Sequence, residues 1–118
     1  MKLVAAAAFV ALGTAGCGAQ MEVHHAMLRT APPEPRPALL YMEGHAPPPG
    51  AFYELGFVQA VGFGGDASPE EVARALTEEA GRQGCQAVVR ANIDMGSMRG
   101  HASGVCVRFV DAPDETTR

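Results

Sequence analysis

Methionine and histidine are the residues of this sequence whose spacing could do chemistry. Met95-x-x-Met98-x-x-His101 places two thioethers and an imidazole at three-residue intervals, a donor set that suits a soft ion such as Cu(I). A second group, Met21, His24, His25 and Met27, adds two more thioethers and an adjacent imidazole pair, which would also attract Cu(II) or Ni(II). No thiolate joins either group. The plainer reading is that Met95 and Met98 cap a sheet edge and that Met21 to Met27 belong to an unstructured tether. Binding of copper or another soft metal through Met95, Met98 and His101 is therefore carried as the alternative function, and no resident cofactor is expected.

Catalytic patterns are missing. The chain has no G-x-S-x-G, no H-E-x-x-H and no P-loop, and Gly62-Phe63-Gly64-Gly65 lacks the following Lys-Ser/Thr. His45 sits among prolines with no acidic partner at readable spacing. The expectation is a protein that is not an enzyme. Nucleic acid is not expected as a partner either. Nine Lys and Arg stand against 13 Asp and Glu for a net charge of −4, and polyanion binders need clustered cations.

The first 17 residues read as an address. Lys2 gives a thin positive region, Leu3 to Leu12 form an apolar run of ten, and Gly13-Thr14-Ala15-Gly16 lead to Cys17. That length matches a cleaved export signal, and no apolar run reaches the ~18 residues of a spanning helix. Ala15-Gly16-Cys17 resembles the bacterial lipobox, in which cleavage precedes a cysteine that carries diacylglycerol. The motif departs from the family in having Thr14 where Leu is preferred, with Leu12 two positions earlier. The resemblance implies a mature chain that begins at acylated Cys17, held permanently to a membrane by two or three acyl chains. Gly18 rather than Asp after the cysteine implies the outer membrane, facing the periplasm, over inner-membrane retention. The alternative is an ordinary secretory signal with Cys17 incidental.

Removing 1–16 leaves 102 of the 118 residues, room for one domain. Residues 17–37 read as an acylated cysteine and a tether, since Pro32-Pro33-Glu34-Pro35-Arg36-Pro37 favours extended polyproline II and resists helix and sheet. A globular domain is expected over 38–112 and a polar, disordered tail over 113–118. Within the domain, Leu39 to Met42 reads as a first strand. Tyr53 to Phe63 reads as a second, with Tyr53, Leu55, Phe57, Val61 and Phe63 on one face. A helix begins with Ser68 as N-cap, Pro69 at its first position and Glu71 completing a capping box. Its stripe is Val72, Leu76 and Ala80, and Gly81 or Gly84 ends it. Ala87 to Ala91 and Val105 to Val110 read as the third and fourth strands, joined by Asp94 to Ser103. Strand, helix and strand at this spacing imply a crossover with parallel strands two and three. The expected fold class is α+β, a small mixed sheet in ββαββ order with one helix packed on one face.

Cys85 and Cys106 remain. In an exported chain two cysteines usually pair, and adjacent strands would bring these two within bridging range. The alternative is two buried apolar thiols that do not meet.

Tyr53-Glu54-Leu55-Gly56-Phe57-Val58, the helix, Gly84-Cys85-Gln86-Ala87-Val88-Val89 and Gly104-Val105-Cys106-Val107 together resemble a known group. It comprises the small lipoprotein domains related to the Rcs envelope-stress sensor and the heavy-metal-binding domains of similar shape. Gly84, Ala87 and Val88 match its "G-A-N-A-V" motif, while Cys85 and Gln86 depart from it. The Rcs sensor has four disulfide-forming cysteines in this domain and this chain has two. The resemblance, over about 60 residues, implies a fold and no binding residues. The expected function is that of a lipid-anchored envelope protein acting as a binding, sensing or structural module. Its partners would be the membrane and another envelope protein.

Overall fold

Eight residues that read as tether form a strand of the sheet. In the computed structural model, which describes residues 19–110, the elements are β1 (Gln20–Met27), β2 (Leu39–Met42), β3 (Phe52–Phe63), a 3-10 turn at Gly64–Asp66, α1 (Pro69–Arg82), β4 (Ala87–Gly96) and β5 (Arg99–Phe109). The leader at 1–16, Cys17 and the tail at 113–118 lie outside the described residues. The fold class is α+β, with one helix on one face of a five-stranded mixed sheet. The order across it is β1-β3-β5-β4-β2. Neighbours are antiparallel except β2 and β4, which are parallel.

Two expectations are corrected here. The chain order is βββαββ, because residues 20–27 pair antiparallel with β3 from Gln20 opposite Phe63 to Met27 opposite Gly56. Met21, Val23 and Met27 then pack against the core, and a strand forms where side chains of period two find a buried face. The proline segment is docked as well. Glu34 N–H donates to the Gly81 carbonyl at 2.8 Å and Ala38 N–H to that of Thr77 at 3.0 Å. Glu34 also pairs with Arg108 at 2.7 Å. Gly81 makes this possible inside the helix, for a Cβ there would stand 2.6 Å from the Arg36 carbonyl oxygen. The strands expected to be parallel, β3 and β4, do run the same way, but β5 lies between them and pairs with both. The segment Asp94 to Ser103 is a continuous hairpin, closed by Ser97 and Met98 between Gly96 and Arg99.

The helix starts as its cap dictates: Ser68 Oγ accepts from Glu71 N–H at 3.1 Å. The Glu71 carboxylate pairs with Arg74 rather than reaching back to the cap. Gly84 ends the helical segment in the left-handed region at φ +90°, while Cys85 N–H donates to Ala80, closing the C-terminal carbonyls. Val72, Leu76 and Ala80 are fully buried against Leu55, Val58, Ala60, Val88, Ala102 and Cys106. Cys85 and Cys106 are joined by a disulfide inside this core, with Cα atoms 5.3 Å apart.

Candidate functional site

Only one face of the sheet is covered by the helix. The other carries a smaller apolar cluster, Ala87, Val89, Val105 and Val107 under Tyr41, Phe52 and Phe109. Beside this cluster lies an open groove of about 590 Å³. Strand register sets its lining. One row across the sheet runs His24, Gln59, Ser103, Asn92, and the next Ala26, Phe57, Val105, Val89. Phe57 stands 55% exposed at the groove, a large apolar surface for solvent to meet.

A bulge in β4 supplies the groove's cation. Register slips between Val89 and Asn92 opposite β5, and Arg90 takes φ +51°, the left-handed conformation that a bulge of this hand ordinarily assigns to glycine. Val89 and Arg90 both lie toward the open face, and Arg90 Nη2 meets Glu54 Oε2 at 2.8 Å. Glu43, bonded through its N–H to the Ala91 carbonyl at 2.9 Å, borders the same groove. His24 faces it from β1, 3.6 Å from Glu22. The result is an apolar floor edged by Arg90, the Glu43 carboxylate and the His24 imidazole. It can receive an apolar side chain flanked by charge. Sequence reasoning missed this site because Arg90 read as an ordinary strand residue and β1 as tether. The face expected to hold both Leu55 and Phe57 is split: the shift between Glu54 and Gly56 turns Leu55 into the core beside Val58 and leaves Phe57 on the open side.

No family model, no curated protein and no solved structure matches the chain. The groove must be read on its own geometry.

The candidate metal ligands are not brought together. Met95 pairs with Gly100 and lies over it on the helix face, 3.0 Å from where a Gly100 Cβ would be. His101 stands opposite Asp94 on the other face, and Met98 occupies the turn between them, 71% exposed. An odd–even step along β5 divides the trio, because successive strand side chains point to opposite faces. The same alternation splits the second group. Met21 and Met27 face the core, roughly 20 Å apart along β1 at ~3.3 Å per residue, and His24 faces outward. Among the described residues no group of three or more His, Cys, Asp or Glu is arranged to hold a metal ion. His45 lies in the turn after β2, its N–H donating to the Met42 carbonyl.

His25 turns inward to a partner that only the fold supplies. Its Nδ1 lies 2.8 Å from Glu79 Oε2 on α1. Arg82 Nε and Gln83 Nε2 donate to the same carboxylate at 3.0 and 3.1 Å. Burial by itself would raise the Glu79 pKa, but the bonds from Arg82, His25 and Gln83 outweigh it and hold the carboxyl below its ordinary value. This pin fastens β1 to the helix.

Proposed function

We propose that the chain is a lipid-anchored module of the bacterial cell envelope that works by binding or sensing rather than catalysis, with another envelope protein as its partner. The observation that carries the binding reading is a sheet face that no described element covers, with exposed Phe57 in a groove edged by Arg90, Glu43 and His24. Three further features support the setting. The leader ends at Cys17 in a lipobox-like motif. The remaining two cysteines form a buried disulfide, which suits an oxidising compartment. The strand and helix motifs resemble the Rcs-sensor group of lipoproteins. Gly18 after the anchor favours the outer membrane over the inner. Metal handling through Met95, Met98 and His101 gains nothing from the geometry.

Two measurements test the proposal. Mass spectrometry of the mature amino terminus should find acylated Cys17, and Cys17→Ser should release the protein from membranes. A photo-crosslinking residue at Phe57 in living cells should trap one envelope protein reproducibly. The same residue at Glu78, on the exposed side of α1, should trap none. Equal or absent adducts at the two positions would remove the groove reading, and an amino terminus without lipid would remove the anchor.

A further inference from the structure

We infer that the tip of the β4–β5 hairpin rests in the lipid headgroup layer, with Met98 and Met95 as its apolar contacts. The inference rests on the acylation of Cys17 proposed above and adds an orientation to it. The chain enters the sheet at Gln20 opposite Phe63, where β3 ends. Ala19 packs on the following turn, its Cβ 3.4 Å from where a Gly65 Cβ would lie. The hairpin tip is at this same end, since Gly64 N–H donates to the Met98 carbonyl at 3.1 Å and Arg99 stands opposite Phe63.

Only Gly18 separates Ala19 from Cys17. Two Cα–Cα steps span at most about 7 Å, comparable with the polar layer of roughly 5–8 Å outside the hydrocarbon core. An acylated Cys17 therefore leaves no slack, and this end of the sheet meets the surface. Exposed apolar residues occur at both ends: Met98 and Met95 here, Leu28 and Val110 at the other. The anchor decides between them. Met98 also goes against its backbone, for it holds φ +60° in a two-residue turn where Gly or Asn fits best. Among the described residues that long apolar side chain stays 71% exposed. Asp66, Glu70, Glu71 and Asp94 outnumber Arg74, which pairs with Glu71, and Arg99 around this end, so the contact is apolar rather than an attraction to anionic lipid. The Arg99 side chain is long enough to keep its charge in the headgroups.

With Cys17 in thioether linkage and Cys85 and Cys106 bridged, Met98→Cys provides a single free thiol for an environment-sensitive fluorophore. Arg99→Cys provides a second probe that leaves Met98 in place. Lipidated full-length protein in phosphatidylethanolamine–phosphatidylglycerol vesicles should show at least threefold stronger quenching by headgroup-labelled nitroxide lipid at these positions than at Val110→Cys. That control is about 40 Å away at ~3.4 Å per residue along β5. Equal quenching at both ends, or none at Met98 and Arg99, in protein whose mass includes the lipid would overturn the orientation and leave the anchor standing. A mass without lipid would overturn both.

Discussion

Breaking the Cys85–Cys106 bond should cost this domain a large share of its stability. The bridge closes a loop of 21 residues, and restricting a loop of that length in the unfolded chain contributes about 3 kcal/mol. Both sulfurs are fully buried beside Val88 and Ala80. Cys85→Ala with Cys106→Ala therefore also forfeits packing, at roughly 1 kcal/mol per deleted atom, for about 5 kcal/mol altogether. A domain of this size is stable by about 5–14 kcal/mol, so the reduced protein should stay folded while the double variant approaches the limit. Urea unfolding followed by circular dichroism, with and without a phosphine reductant, measures the difference. At a slope near ~1 kcal/mol/M the midpoint should fall by roughly 2–3 M on reduction. Alkylation and mass of the native protein should find neither thiol free before reduction. Oxidised and reduced curves within about 1 kcal/mol, or two thiols that alkylate without reductant, would refute the reasoning.

Other outcomes follow from the docked amino-terminal segment, the Glu79 pin and the hairpin tip. A protein that starts at Ala38 should lose about 4 kcal/mol or more, because Met21, Val23 and Met27 no longer cover the core; proton NMR dispersion equal to that of the longer protein would contradict this. Gly81→Ala should destabilise by about 1–3 kcal/mol through its clash with the Arg36 carbonyl, read by the same urea titration, whereas a freely moving proline segment would leave it neutral. The Glu79 carboxyl is held below its ordinary value in the fold, so its contribution is present above the unfolded carboxylate range near ~4.3 and lost as pH falls through the lower folded value. The Tm of the wild type should drop between pH 5 and pH 3 more steeply than that of Glu79→Gln. Met98→Gly should relieve the left-handed turn and raise stability by about 0.5–1 kcal/mol, measured by thermal melting, while weakening vesicle contact.

The helix was the most legible part of the fold. Ser68, Pro69 and Glu71 mark its start, and Val72, Leu76 and Ala80 mark its buried face, because caps and stripes are written within a few residues of each other. β3 was legible as a strand but its faces were not: the register shift between Glu54 and Gly56 puts Leu55 in the core with Val58 and Ala60 and leaves Phe57 on the open face. β1 was not legible as a strand, because His25 interrupts the apolar period of Met21, Val23 and Met27 and the proline run follows closely. The inward histidine is tolerated only because Glu79, 54 residues away in sequence, meets it. The groove was equally hidden, since it needs the position of β1 and the bulge at Arg90.

What the sequence determined by itself is local: where the helix begins and which of its residues are buried, where β2 to β5 run, and that Cys85 and Cys106 could pair. Tertiary structure decided which strands neighbour one another, and with that everything about the site. β5 between β3 and β4 lines Gln59 up with Ser103, and it parts Met95 from His101. The physical reason is that side-chain period is a property of a few consecutive residues, whereas register is chosen by burial of whole faces. Three donors spaced three apart along the chain come to lie on two faces and a turn once their segment folds as a hairpin.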